Sequence, residues 1–255
     1  MDIRQLQKNW DAYGRKDPLF AIVSWADKKD NKWDLEEFLQ LGVQEVDALL
    51  DYIATLNRPL QRGHALDFGC GVGRLTQALA AHFDRVAGVD IAPSMIEQAR
   101  RINRFGEKCQ YHLNERSDLR LFPDRQFDFI YTNITLQHME PRYSKGYLLE
   151  FLRILKPGGL LVFQLPGERI APRPAPEPEK AGGLRRLYQS LPAPLCNFLQ
   201  TIRTLRLREP RMEMYGIPRD EVTRFLTDHG GHLLDVTENK SGGPSWTSFR
   251  YCVTR

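Results

Sequence analysis

Leu66-Asp67-Phe68-Gly69-Cys70-Gly71-Val72-Gly73-Arg74 joins an apolar strand end, a run of alternate glycines and the start of a helix. A strand that runs into closely spaced glycines and then a helix lets a ligand lie against bare backbone at a helix N-terminus. Alone, this indicates either a nucleotide-like ligand or a mere tight connection. The spacing narrows it. A dinucleotide fingerprint puts its third glycine three positions after the second. Here that position is Arg74, and the third glycine comes early, at Gly73. Asp67 lies in the strand end, two positions before Gly69. A carboxylate there faces a pyrophosphate unfavourably and suits a ligand with an ammonium group. S-adenosylmethionine has an ammonium and a sulfonium and no phosphate, so the charge logic favours it.

Outward from this turn, strands and helices alternate. His64–Phe68 reads as a strand, Gly69–Gly73 as a tight turn and Leu75–His82 as a helix. Val86–Asp90 is a second strand, followed by a helix over Ser94–Phe105 with Pro93 at its start. Lys108–Leu113 and Phe127–Thr132 are further strands, and a helix runs from about Pro141 to Leu155. Gly159–Gln164 makes a fifth strand after the turn Lys156-Pro157-Gly158. This alternation calls for a parallel sheet covered on both faces. Asp90 ends the second strand, where nucleotide-binding α/β folds use a carboxylate to accept ribose hydroxyls.

The flanks differ from the core. Residues 1–60 read as a helical cap, with Leu35, Phe38, Leu39, Val43, Val46, Leu49, Leu50 and Ile53 at three-to-four-residue spacing and Pro59 as a stop. The core covers 61–165. Residues 166–218 form an insertion. Pro166, Pro172, Pro174, Pro176 and Pro178 favour an extended connector, and Leu195, Phe198, Leu199, Ile202 and Leu205 fall on one helix face. Lys180, Arg185, Arg186, Arg203, Arg206, Arg208 and Arg211 make it basic. It is a lid that draws in an anionic acceptor, an amphipathic surface helix or a solvated face. Residues 219–255 return to the core with a helix over Arg219–His229 and strands over His232–Glu238 and Phe249–Thr254. Their short connection calls for antiparallel pairing at the sheet edge.

Composition limits the function classes. A length of 255 residues suits one α/β domain with insertions. A net charge of +4 over that length does not by itself call for nucleic acid. The start, MDIRQLQKNW, lacks the apolar core of a signal peptide, and no stretch approaches the roughly 18 apolar residues of a membrane span. The expected setting is cytoplasmic. Cys70, Cys109, Cys196 and Cys252 are scattered without a C-x-x-C pair, as befits buried thiols, and nothing completes a metal site around His229 and His232.

Taken together, Leu66–Gly73, Val89-Asp90-Ile91-Ala92-Pro93-Ser94-Met95, Phe127-Asp128-Phe129-Ile130 and Leu155-Lys156-Pro157-Gly158-Gly159 resemble class I S-adenosylmethionine-dependent methyltransferases of the small-molecule type. The resemblance covers about residues 62–165. It implies a Rossmann-like, mostly parallel seven-stranded sheet with helices on both faces and an antiparallel last strand. It also implies S-adenosylmethionine as cofactor and S-adenosylhomocysteine as product. Asp67, Gly69, Cys70, Gly71 and Gly73 would pass the methionine moiety, and Asp90 would hold the ribose. Ile91 would pack on adenine, with Asn114 and Glu115 near its amino group and Asn133 on the cofactor side. The family usually shows an acid where Asn114 stands.

The methyl acceptor belongs at the carboxyl ends of the strands, beside Thr132-Asn133-Ile134-Thr135-Leu136-Gln137-His138-Met139. This stretch lacks the Asn/Asp-Pro-Pro-aromatic signature of base and glutamine methylation, and no Pro-Cys nucleophile is apparent. Nucleic-acid bases are thereby disfavoured. His138 is either a general base or a histidine bonded to the loop backbone. As a base it would lose turnover in His138→Ala with cofactor affinity intact. Trp10, Tyr13, Trp25 and Trp33 either wall a pocket or pack the core, and Trp10, Tyr13, His138 and Tyr143 are the acceptor-side candidates. The expected reaction is methyl transfer to an oxygen, in second place a nitrogen, of a small or carbohydrate-like molecule. Two alternatives stand: an RNA or protein methyltransferase that uses the basic insertion, and a non-catalytic S-adenosylmethionine-binding protein. Oligomeric state and acceptor identity are not written in the sequence.

Overall fold

The structure, a computed structural model, describes residues 1–170 and 210–255. Three helices lead in: α1 (Ile3–Lys16), α2 (Pro18–Ile22) and α3 (Leu35–Thr55). Each starts at an aspartate whose side chain accepts a first-turn N–H, Asp2 from Gln5, Asp17 from Phe20 and Asp34 from Glu37. Pro18 directly follows the second of these caps.

The core then runs β1 (His64–Phe68), α4 (Arg74–Ala80), β2 (Arg85–Asp90), α5 (Pro93–Ile102), β3 (Cys109–Leu113), β4 (Phe127–Thr132), α6 (Pro141–Ile154) and β5 (Leu155–Arg169). The chain ends in α7 (Arg219–Asp228), β6 (His232–Asn239) and β7 (Trp246–Thr254). The strands form one seven-stranded sheet in the order β3-β2-β1-β4-β5-β7-β6. β3 to β5 are mutually parallel across β2, β1 and β4, while β7 pairs antiparallel with both β5 and β6. The sheet is thus the mostly parallel, seven-stranded one with an antiparallel last strand that the resemblance implies, and its parallel part is what the alternation of elements calls for.

Alternate strand residues serve two apolar layers, as the period of two requires. Leu66, Phe68, Leu161, Phe163, Leu165, Tyr251 and Val253 pack with Leu148, Phe151 and Leu152 of α6 and Leu226 of α7. Ala65, Phe129, Tyr131, Leu160, Val162 and Cys252 pack on the other face with Val46, Leu49 and Ile53 of α3 and Leu79 of α4. A third, smaller cluster joins Ala21, Trp33, Phe38, Val72 and Met95. Burial on both faces explains why β1 and β4 are nearly unbroken apolar runs.

Several boundaries depart from the sequence reading. β5 begins at Leu155 and continues to Arg169, so Lys156-Pro157-Gly158 lies inside the strand at a register shift instead of preceding it. Its far end is fixed by distant partners, with Pro166 opposite Ser248 and Arg169 opposite Trp246. Pro166 therefore belongs to the sheet and not to a connector. The other prolines, the leucines and most of the arginines assigned to the insertion, with Cys196, lie outside the described residues. Residues 210–218 return across the cap without regular structure.

Candidate active site

Strand order reverses between β1 and β4, because β1 leads outward to β2 and β3 and β4 leads to β5. Open α/β sheets bind ligands at such a point, beyond the carboxyl ends of the strands. A cavity lies there. Its wall takes Phe68 to Gly71 from the end of β1, Val89 to Ile91 from β2, Asn114 after β3, and Asn133 to Thr135 after β4. The cap closes it with Ile3, Leu6 and Trp10 of α1 and Ala21 and Ile22 of α2.

The turn after β1 is built by glycine. Gly69, Gly71 and Gly73 all have positive φ, at 77°, 52° and 86°, which side chains disfavour. The Gly69 and Cys70 N–H groups donate to the Val89 carbonyl at 2.8 and 2.9 Å, which ties the turn to β2. Asp90 completes the tie: its carboxylate accepts from Gly71 N at 2.9 Å and from Ala92 N at 2.8 Å. Burial pushes this carboxyl above its ordinary value, and the N–H donors of Ala92, Gly71 and Ile91 oppose the rise. A carboxylate has about four lone-pair sites, so these donors leave it room to accept a further hydroxyl.

Asp67 does something else. It is buried, it is not on the cavity wall, and it accepts from Thr76 Oγ1 at 2.6 Å. Burial raises its pKa to about 7 against the hydrogen bond from Thr76 and the charge of Arg74. In the strand, Asp67 shares a face with Ala65 and points under α4, so it braces the glycine turn from below. The expected meeting of Asp67 with a ligand ammonium is not what this geometry carries.

Of the other expected cofactor residues, Gly69, Cys70, Gly71, Asp90, Ile91, Asn114 and Asn133 are on the wall. Burial drives the Cys70 thiol well up, so it is an inert wall and not a nucleophile. Gly73 turns to Tyr111, and Glu115 accepts from Gln7 Nε2 on the surface. Asn114 stays on the wall, its backbone N–H on the Asp90 carbonyl at 2.9 Å and its amide on the Asp118 carbonyl at 2.8 Å.

On the acceptor side, Trp10 and His138 meet edge to face with ring centroids 5.2 Å apart, and both line the cavity. Tyr13 instead donates to the Pro210 carbonyl, and Tyr143 packs beside the Arg142 guanidinium. Trp25 and Trp33 pack against each other, Trp33 also against Phe38. His138 is buried, and burial lowers its pKa. Its Nδ1 lies 2.9 Å from the Glu213 carbonyl oxygen, and its Nε2 lies 3.2 Å from Gln137 Nε2.

Sequence reasoning missed a polar group behind the cavity wall, in contact with the wall residues Arg74 and Asn133. Glu45 of α3 accepts from Arg74 Nη2 at 2.8 Å, from Tyr131 Oη at 2.9 Å and from Asn133 Nδ2 at 2.7 Å. In the sequence Glu45 is one acid among many on an amphipathic helix. The available signal was Gly42, a glycine inside an otherwise strong helix pattern.

Residues 66–163 match the methyltransferase domain family. The chain is 33% identical over 128 residues to carboxy-S-adenosyl-L-methionine synthase of Chromohalobacter salexigens, across 48% of this chain and 46% of that protein. It is 31% identical over 137 residues to trans-aconitate 2-methyltransferase of Enterobacter sp., across 52% of this chain and 51% of that protein. A demethylmenaquinone methyltransferase of Tropheryma whipplei is 38% identical over 111 residues, 42% of this chain and 44% of that protein. The chain spans about half the length of the curated relatives it matches. In three dimensions it resembles magnesium protoporphyrin IX methyltransferase of Synechocystis PCC 6803, solved with bound S-adenosylhomocysteine, at a TM-score of 0.63 and 16% identity, over 100% of both chains. That likeness speaks for the fold. By sequence, residues 66–163 resemble methyltransferase domains, and the glycine turn and sheet order are those of the Rossmann-like methyltransferase fold.

Proposed function

We propose that this chain moves the methyl group of S-adenosylmethionine onto an oxygen of a small, mainly apolar molecule. One observation carries the reading: a single cavity joins the Asp90 side of the glycine turn to a roof of Ile3, Leu6, Trp10, Ala21 and Ile22. When bound, the cofactor supplies an electrophilic methyl carbon on a sulfonium. The chain's own residues then hold, orient and keep water out. Asp90 accepts the ribose hydroxyls, Ile91 packs on the adenine, and the bare backbone of Gly69 and Gly71 admits the methionine arm. Methyl transfer needs little beyond alignment at roughly 3–3.5 Å, which a buried apolar roof supplies.

The charged residues on the described wall are Asp90 and Arg74, and Arg74 is already paired with Glu45. An acceptor with several carboxylates would bury charges with too few partners, which is costly. An apolar or aromatic body bearing one hydroxyl suits this lining better than a carbohydrate or a polycarboxylate. Incubation with S-adenosylmethionine and a panel of phenols, sugars, amines and polycarboxylates tests the proposal through S-adenosylhomocysteine release. Turnover with phenolic or other apolar hydroxyl compounds is expected. Cofactor binding without release across the panel would support the non-catalytic alternative, and turnover confined to polycarboxylates would contradict the acceptor class.

A further inference from the structure

We propose that the Trp10 indole N–H is the group by which this site selects its methyl acceptor, and that it takes a carbonyl oxygen borne by an aromatic hydroxy compound. This rests on the acceptor class proposed above and narrows it. Trp10 lines the cavity from α1 and is half-buried. Its ring is held by two neighbours, Tyr13 with ring centroids 5.7 Å apart and His138 at 5.2 Å. Both holders are anchored to one stretch of main chain. Tyr13 Oη donates to the Pro210 carbonyl, and His138 Nδ1 donates to that of Glu213 at 2.9 Å. Asn9, next to Trp10 in α1, donates to the Arg211 carbonyl at 3.0 Å. The indole is thus fixed from α1 and from the loop after β4 at once, as a group that must recognise a ligand requires.

What the wall leaves open decides what it binds. Asn114 donates to the Asp118 carbonyl, Asn133 to Glu45, Thr135 to the Asn133 carbonyl, Tyr147 to the Arg116 carbonyl and His138 to that of Glu213. Among the wall side chains, the Trp10 N–H is the one uncharged N–H or O–H group with no hydrogen bond to the described residues. An apolar body filling the cavity would strip water from this donor and leave it unpaired, which is costly. An oxygen on the acceptor removes that cost. A carbonyl suits better than a second hydroxyl, because it brings no proton of its own to a roof of Ile3, Leu6, Ala21 and Ile22. The flat body of an aryl ketone also packs well against an indole ring.

The test uses the full chain saturated with S-adenosylhomocysteine and two probe pairs, 3′- and 4′-hydroxyacetophenone against 3- and 4-ethylphenol. The members of a pair share ring, hydroxyl and size, and only the ketone carries the extra oxygen. By calorimetric titration, at least one ketone should bind about 2- to 12-fold more tightly than its partner, the range of a net hydrogen bond. Trp10→Phe keeps a ring and removes the N–H, and should bring the two affinities together. In the wild-type chain, isotopically labelled at the tryptophan indole nitrogens, one N–H resonance should move downfield with the ketone and stay with the ethylphenol. Trp25, Trp33 and Trp246 are not on the cavity wall, so the resonance that moves is that of Trp10. Equal affinity for ketone and ethylphenol in the wild type, or a preference that survives in Trp10→Phe, overturns the inference and leaves the proposed acceptor class standing. A loss of S-adenosylhomocysteine affinity in Trp10→Phe would place the ring over the cofactor and also overturn it. If S-adenosylhomocysteine binds and no phenol does, the acceptor class fails and this inference with it.

Discussion

His138 donates its Nδ1 proton to the main-chain carbonyl oxygen of Glu213, 2.9 Å away, because a carbonyl oxygen can only accept. The other ring nitrogen must then accept, and Gln137 Nε2 stands 3.2 Å from it. The orientation of that amide is fixed in turn. The Ile134 N–H donates to Gln164 Oε1, Gln164 Nε2 donates to Gln137 Oε1, and Gln137 Nε2 donates to His138. A backbone donor at one end and a backbone acceptor at the other set the direction of every bond between them. His138 is thereby held neutral, with its basic lone pair engaged, and it fastens the 210–217 segment to the loop after β4.

So bonded, His138 positions the roof and takes no proton. Burial lowers its pKa, so the ring stays neutral above its ordinary value of 6.5. His138→Phe keeps the contact with Trp10 and removes both hydrogen bonds. Acceptor KM should rise about 10-fold or more, as for a lost net hydrogen bond of roughly 1.5 kcal/mol, with S-adenosylhomocysteine affinity unchanged. The pH profile of kcat should keep its shape. A wild-type acidic limb that disappears in the variant would instead make His138 a general base.

Asp67 gives a stability signature with a definite sign. Its pKa rises from 3.8 to about 7 on folding, so between those values the folded chain holds a proton that the unfolded chain has lost. Stability from this group is complete below pH 4 and is lost as pH rises through 7, by about 4 kcal/mol in all. Asp67→Asn keeps an acceptor for Thr76 and cannot ionise. Denaturant unfolding at several pH values should show the variant gaining on wild type from pH 4 to 7 and levelling above. A difference that does not vary with pH would contradict this.

Gly42→Ala should push α3 off α4. The added methyl would meet the Arg74 backbone at 2.6 Å, and overpacking of this kind costs about 1–3 kcal/mol. Thermal unfolding should report a lower Tm despite alanine's better helix propensity. An unchanged or raised Tm would show that the close approach is not required.

Much of this was legible in the sequence, for local reasons. β1, β2 and β4 are short apolar runs between breakers, and buried parallel strands read that way. What was hidden depends on distant partners. The reach of β5 to Arg169 exists because β7 pairs along it. Arg74 and Glu45 are 29 positions apart and meet only once α3 lies across α4. Asp67 is different, since the alternation that turns Leu66 and Phe68 to one face turns Asp67 to the other. Ile134 carries no sequence sign of its φ of 56°, a conformation disfavoured for a β-branched residue. Its strained backbone aims the wall beside His138.

On the proposed reading, the cavity above the glycine turn holds a phosphate-free adenosine derivative, with Asp90 on its ribose. The decisive comparison is a side-by-side calorimetric titration of the wild-type chain and Asp90→Ala with S-adenosylhomocysteine and with NAD. One binding site for S-adenosylhomocysteine is expected, weakened about 10- to 150-fold in the variant, with no comparable affinity for NAD. Tight NAD binding and no heat from S-adenosylhomocysteine would overturn that reading.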